Sequence, residues 1–326
     1  MEPASGSTAT APAIRQLYFL VGAQRSGSTM LRLMLDHHPQ VACLHEFNFA
    51  LLAADADGGH PDLATLRARL QADRQWRYAG LELDPALDYP AQLDAFLERW
   101  RQRDGGGKPV VGVTIHFRYD LALALWPEAR FIHLVRDPRD VAPSVIKMGW
   151  AGNTWHATDR WVEAEREVDA LAAALPPDRL LRVRFEDLVN DPEGELGRLC
   201  TLLGVDYDPA MLDYPADTSY PAPDPSAAYR WRGKAPELDV QLVEARAGAL
   251  LADRGYERSG HPDLALSGVG QFRLGVQDRL ARLRFRMRRY GAGAVLTNAV
   301  ATRLGLEDTS ARLRQRMQDQ DQRNLR

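Results

Sequence analysis

Residues 16–36 read QLYFLVGAQRSGSTMLRLMLD, an apolar run that breaks into a glycine–serine loop and resumes with apolar residues at helical spacing. Gln16–Val21 reads as a strand, and Met30, Leu31, Met34 and Leu35 share one face of a helix beginning at Ser28. The order is strand, loop, helix, the opening of a βαβ unit if strands and helices go on alternating.

Three further runs have near-continuous apolar or β-branched content: VVGVTI (Val110–Ile115), RFIHLV (Arg130–Val135) and LLRVRF (Leu180–Phe185). Strands of this kind are covered on both faces. Helical patterns lie between them at Leu63–Arg74, Ala91–Arg103, Pro138–Met148, Thr158–Leu175 and Pro192–Leu203. The alternation predicts an α/β fold, a P-loop-type doubly wound parallel sheet flanked by helices. Tyr214–Ser226, YPADTSYPAPDPS, holds too much proline for regular structure. A helix over Glu237–Leu251 is expected to stop near Gly255. Beyond SGHPD the pattern turns into Arg-rich amphipathic helices, Gln271–Tyr290 and roughly Thr309–Gln322. The expected organisation is a disordered tail at 1–13, a main domain at 14–262 and a helical basic extension at 263–326.

Charge divides along the same line. The net charge is -3, yet Gln271–Arg326 carries 13 Arg against 5 acidic residues, a local +8 that leaves -11 elsewhere. Apolar Leu280, Leu283, Phe285 and Met287 interleave with those arginines. Three partners stay open for this extension: a peripheral membrane or other anionic surface, the acidic body of its own chain, or another subunit. Nothing points to a nucleic-acid partner. The two cysteines, Cys43 and Cys200, make neither a disulfide framework nor a metal-ligand spacing. No apolar run approaches the ~18 residues of a membrane span. The start, MEPASGSTATAPA, lacks the basic and apolar regions of a signal peptide, so a cytoplasmic protein is expected.

GAQRSGST, Gly22–Thr29, fits the phosphate-loop template G-x-x-x-x-G-K-[ST] at every fixed position except Ser28, which replaces the lysine. Gly22 and Gly27 let the backbone curl so that successive N–H groups converge on an anion. Ser28 and Thr29 add hydroxyls, and Arg25 adds a permanent charge with a planar donor fork. A plain glycine–serine turn would account for the glycines alone, not for their coincidence with Arg25 and two hydroxyls. Without the lysine, a γ-phosphate would lose its main cation. In FIHLVRDPRDVAPSVIK, Phe131–Lys147, Arg136 stands at the carboxyl edge of a strand and Asp137 caps the next helix, with Pro138 at its first position. Arg136 therefore belongs to the same sheet edge as the loop, and Ser144 to the helix that follows. Arg139 is expected to pair with its acidic neighbours on the surface.

Together the two elements resemble the sulfotransferases that use 3′-phosphoadenosine-5′-phosphosulfate (PAPS). RSGST (Arg25–Thr29) is similar to the family's 5′-phosphosulfate loop, and VRDPRDVAPS (Val135–Ser144) to its 3′-phosphate motif. VRFEDLVNDP (Val183–Pro192) is similar to its later strand and helix start, with Phe185 in place of a frequent tyrosine. The likeness covers about Gln16 to Tyr256, closest in style to the protein-tyrosine and bacterial carbohydrate members. It implies that Arg25, Ser26, Gly27, Ser28 and Thr29 bind the 5′-phosphosulfate, that Arg136 and Ser144 bind the 3′-phosphate, and that transfer needs no metal. In LDHHPQVACLHEF the position matching a proposed general base is Glu46. His116, in GVTIHFRYD, is the rival base, comparable to a histidine of the cytosolic members; a free imidazole titrates near ~6.5 and suits proton abstraction. In YRWRGKAPEL the resemblance places Trp231 beside the adenine and Lys234 on a donor phosphate, with Arg232 and Gly233 in the same turn. His45 and His133 are read as structural, and Trp150 and Trp155 as stacking platforms or core. The family's lysine near the third strand is missing, which leaves its role to Arg25, Arg118 or Lys234.

The activity this implies is sulfuryl transfer from PAPS to a hydroxyl or amine of a small-molecule, glycan or peptide acceptor. Two other classes stay open. A kinase built on the same loop would need Mg²⁺ and a substitute lysine. A catalytically inactive nucleotide-binding scaffold would use the basic tail for docking.

Overall fold

A computed structural model of the chain describes residues 14–323; the tail expected at 1–13 lies outside them. Five parallel strands form one sheet in the order β2-β3-β1-β4-β5. They are β1 Gln16–Val21, β2 Val41–Glu46, β3 Val110–Thr114, β4 Arg130–Val135 and β5 Leu180–Arg184. From β1 the chain winds to β2 and β3 on one side, then crosses to β4 and β5 on the other. The crevice such a reversal opens lies beyond the carboxyl end of β1, where ligands bind in doubly wound sheets.

The unbroken apolar runs are explained by the pleat. Phe19, Val21, Val111, Val113 and Phe131 face one buried cluster, while Tyr18, Leu20, Val110, Ile132 and Leu134 face another. Each strand spends alternate residues on opposite faces, and helices cover both. Gly112 makes room within this packing: a Cβ there would lie 2.0 Å from the Tyr18 ring. Both cysteines are buried, and burial pushes the Cys43 thiol to about 12 and the Cys200 thiol to about 11. Neither is a reactive thiolate.

The four expected strands are present. Edge strand β2 was not among them; its apolar stretch is short and closes on His45 and Glu46, because an edge strand ends where the chain turns to solvent. Helices match within a few residues at Leu63–Ala72, Tyr89–Arg103, Pro138–Lys147, Thr154–Ala174 and Pro192–Leu203. Short helices at Asn48–Leu52, Arg74–Ala79, Tyr119–Leu125 and Phe185–Asn190 are additional, as is the longer Ala292–Arg303. The single helix expected over Glu237–Leu251 is split into Glu237–Ala247 and Ala249–Asp253 by Gly248, whose φ of 59 and ψ of -133 leave helical space. Gly255 does stop the second piece, with φ +81. The proline-rich stretch contains a short helical turn, Tyr214–Asp217, and the start of a second, Pro225–Ala227. The chain forms two compact units, one of residues up to 136 with 164–228, the other of 137–163 with 229 onward.

Candidate active site

In the first unit, β1 ends at Val21 and the glycine loop begins. Gly22 has φ +135, and a Cβ on it would lie 2.3 Å from the Leu134 carbonyl oxygen of β4, so no other residue fits. Arg25 (φ 75) and Gly27 (φ +101) complete the curl. The helix Ser28–Asp36 then starts with no side-chain cap and no acidic residue in its first turn. Five helices are capped by Asp62, Asp73, Asp88, Asp137 and Asp191, while others, among them Tyr119–Leu125 and Glu237–Ala247, also lack a side-chain cap. The leading N–H groups of Ser28–Asp36 and its dipole are thus left for an anion. Ser26 is 1% exposed, and its Oγ has no hydrogen-bond partner among the described residues. A buried hydroxyl without a partner costs stability unless a ligand supplies one.

Arg136 leaves the end of β4 with its guanidinium carbon 4.0 Å from the centre of the Phe185 ring, and its Nη2 donates to the Ala227 carbonyl at 2.9 Å. The same ring covers the loop: a Cβ on Gly27 would sit 2.5 Å from its Cδ2. Phe185 therefore touches both phosphate motifs. The replaced tyrosine costs a hydroxyl and keeps the platform.

The two candidate bases meet. Glu46 closes β2 opposite Thr114 of β3, after a register shift from Cys43. His116 follows β3; its N–H donates to Asn48 Oδ1 at 2.7 Å, and its Nδ1 lies 2.8 Å from the Gly22 carbonyl oxygen. A carbonyl only accepts, so Nδ1 carries the hydrogen and Nε2 points the other way. Nε2 faces Glu46 Oε1 at 3.8 Å. The other carboxylate oxygen accepts from Asn48 Nδ2 at 3.3 Å and from Gln75 Nε2. Burial pushes the Glu46 carboxyl up, but the bond and charge of His116, the Gln75 amide and the Arg74 charge outweigh it and hold it below the usual carboxylate value. The imidazole is 4% exposed and the carboxylate 43%. Glu46 is the member of the pair open to solvent.

Tyr119, Asn48 and Gln75 are site residues that sequence reasoning did not single out. The Tyr119 hydroxyl accepts from the Gly22 N–H at 3.1 Å and braces the loop from below. Its proximity to His116 in HFRYD was the available signal. Arg118, a candidate for the missing lysine's role, instead donates to the Asp55 carbonyl at 3.2 Å and lies 3.5 Å from Asp120. Lys108 bonds the Asp36 carbonyl, away from the loop. His133 is core as expected, fully buried and 3.2 Å from Glu165. His45 rests against Trp100, ring centres 6.1 Å apart.

The second unit holds the remaining candidates. Asp137 caps the Pro138–Lys147 helix by accepting from the Arg139 N–H at 2.9 Å. Arg139 is not a surface residue. It is 2% exposed, forks onto both Asp137 oxygens at 2.9 and 2.7 Å, and reaches Glu244 at 2.6 Å. Asp140 instead accepts the backbone N–H groups of Arg230 and Trp231. A partner distant in sequence, Glu244, lets this charge be buried. Trp231 lies with its ring 3.9 Å from the Arg139 guanidinium carbon and donates Nε1–H to Asp137 at 3.0 Å. The turn after it is exposed, with Gly233 at φ +72, Arg232 over the Tyr229 ring at 4.5 Å, and Lys234 toward solvent. Ser144 is half-buried on its helix. Trp150 and Trp155 are half-buried beneath Arg160 and Arg246, at 5.2 and 5.1 Å.

A parallel sheet with an uncapped helix behind a glycine loop defines an α/β protein of the phosphate-loop class. Residues 18–209, more than half the chain, match the sulfotransferase family, and the chain belongs to it. An omega-hydroxy-beta-dihydromenaquinone-9 sulfotransferase of Mycobacterium bovis is 35% identical over 165 residues, 44% of this chain and 40% of the relative. The match thus spans under half of that relative's length. A putative protein-tyrosine sulfotransferase of Caenorhabditis briggsae is 28% identical over 213 residues, 61% of this chain and 69% of its own. Among solved structures, the sulfotransferase domain from the Synechococcus PCC 7002 olefin synthase superposes with a TM-score of 0.50 at 25% identity, over 73% of this chain and 98% of that one. The sulfotransferase domain from the curacin biosynthetic pathway shares the fold, with a TM-score of 0.54 at 19% identity over 76% and 99%. Among the described residues, no helix is long and apolar enough to cross a membrane.

Proposed function

We propose that the protein transfers the sulfuryl group of PAPS to an acceptor hydroxyl or amine, with Glu46 as general base. The observation that carries this reading is the chain of contacts Glu46–His116–Gly22, which ties a solvent-open carboxylate to the phosphate loop within one unit. Family membership supports sulfuryl transfer as the chemistry. The names of the two relatives, one acting on a hydroxylated quinone lipid and one on protein tyrosine, support a hydroxyl acceptor.

The residues divide the work. The Ser28–Asp36 N-terminus, the buried Ser26 hydroxyl and Arg25 hold the 5′-phosphosulfate, and Ser28 and Thr29 add hydroxyl donors. Arg136, braced on Phe185, holds the 3′-phosphate, with Ser144 assigned to the same phosphate by the motif. Trp231, Arg232, Gly233 and Lys234 are assigned to the nucleotide by the same resemblance. The acceptor oxygen attacks sulfur opposite the bridging oxygen and gives its proton to Glu46. The new S–O bond forms as the bridging S–O bond breaks, and the electron pair leaves on the adenosine bisphosphate. Arg25 and the loop N–H groups stabilise that growing charge, which is where such donors act most strongly. His116, anchored by its Nδ1–H on the Gly22 carbonyl, keeps its Nε2 beside Glu46 and orients the carboxylate.

Transfer of radiolabelled sulfate from PAPS to a panel of phenols, hydroxylated lipids, glycans and tyrosine peptides tests the reading. Label on at least one acceptor is the expected result, abolished in Glu46→Gln. Tight binding of Mg·ATP with none of adenosine 3′,5′-bisphosphate would overturn it in favour of a kinase.

A further inference from the structure

The helix Gly268–Tyr290 has two apolar faces, and only one is covered. Its inner face packs on residues 149–153 of the same unit. A Cβ on Gly149 would lie 2.2 Å from the Phe285 ring, and one on Gly152 2.6 Å from the Ala281 Cβ. Asn153 Nδ2 donates to the Leu274 carbonyl at 2.8 Å, and the Gly152 N–H to Asp278 at 2.7 Å. Asp278 is the helix's one acidic residue, buried at 5% and paired with Arg282 at 2.8 Å.

The opposite face is exposed. Val269 (64%), Phe272 (72%), Val276 (40%) and Leu280 (48%) recur every three or four residues, which sets them in one stripe. Helical geometry borders the stripe with exposed Arg273 and Arg284 on one side and exposed Arg279 and Arg286 on the other. The next helix, Ala292–Arg303, repeats the arrangement. Val295 and Ala301 are buried, while Leu296 (55%) and Val300 (56%) face out, followed by Leu304 (67%) and Leu306 (52%). Eight large apolar side chains are thus open in a region rich in arginine. Monomeric proteins rarely expose apolar patches of this kind without an occupant.

We propose that the outward faces of these two helices dock the protein on a membrane surface rich in anionic phospholipid. An apolar stripe between two rows of arginine matches an acyl boundary between phosphate headgroups, where long cationic side chains reach outward to the charge. A second copy of the chain fits less well. Pairing the helix with itself sets arginine rows against each other. Among the described residues, the other exposed large apolar side chains, Leu52, Tyr78, Tyr220 and Leu238, lie apart in sequence and form no helical stripe to receive it.

The full chain is spun with vesicles of phosphatidylcholine alone and of phosphatidylcholine with one-quarter phosphatidylglycerol, at low and high salt. The expected result is sedimentation with the anionic vesicles only, weakened as salt shortens the Debye length. Phe272→Glu combined with Leu280→Glu abolishes it without changing sulfuryl transfer to a soluble acceptor. Arg279→Gln with Arg286→Gln, a gentler pair should the first fail to fold, weakens it about fivefold per arginine removed. Equal sedimentation with neutral vesicles, or none with either, overturns the proposal. So does a native mass of two chains that Phe272→Glu with Leu280→Glu halves while vesicle binding is absent.

Discussion

Two helices begin directly behind sheet strands, Ser28–Asp36 after β1 and Pro138–Lys147 after β4, and their N-termini are built oppositely. The second is saturated. Asp137 caps it, Arg139 fills both oxygens of that cap, and Glu244 completes the buried cluster. The first has no side-chain cap and no acidic residue, and it carries a buried Ser26 hydroxyl with no partner among the described residues. A terminus that serves stability consumes its own donors. The first terminus differs by pairing its open donors with a buried hydroxyl that has no partner among the described residues.

The largest expected effect is at Glu46, the proposed base. Glu46→Gln should lower kcat by about 10²–10⁴ with the donor still bound, measured by steady-state transfer. Because His116, Gln75 and Arg74 hold the carboxyl below its usual value, kcat/KM should stay flat from neutral pH down to that value and fall only beneath it. A fall well above the usual carboxylate range would count against Glu46 as the base. The sign for stability is the same: a depressed carboxyl contributes at neutral pH and loses its contribution as pH drops through the folded value.

Next comes the saturated terminus. Arg139→Met should cost about 3–5 kcal/mol in denaturant melts, because Asp137 and Glu244 would be left buried without their cation. An unchanged midpoint would show the cluster to be dispensable and remove half of the contrast. Arg25→Ala should lower kcat by about 10²–10³ with little change in KM for PAPS. Arg136→Ala should instead raise that KM about tenfold, since it positions the donor. Equal, small effects from both would dissolve the division of labour. The smallest effect separates the two termini most finely. Ser26→Ala should shift stability by no more than about 0.5 kcal/mol, or raise it, while weakening bisphosphate binding severalfold in calorimetry.

Much of the first terminus was legible beforehand because it is local. Gly22, Gly27 and the hydroxyls lie within eight residues, and their conformational demands are written in the residue types. Arg136 was legible as the end of an apolar strand. Arg139 was misplaced on the surface because its burial depends on Glu244, more than a hundred residues away. Glu46 and His116 were read as rivals, since nothing in HEF or TIHF tells that β2 and β3 lie side by side. Phe185 counted as a lost hydroxyl until its ring was found against both Gly27 and Arg136.

The amino-acid order alone determined the alternation of strands and helices, the curled loop and the basic character of the C-terminal helices, because periodicity, glycine freedom and charge act over a few residues. Only the tertiary structure decided which charges are buried, that two candidate bases form one pair, and which face of the Gly268–Tyr290 helix stays open. Those outcomes depend on desolvation and on strand order, and both are set by residues far apart in the chain.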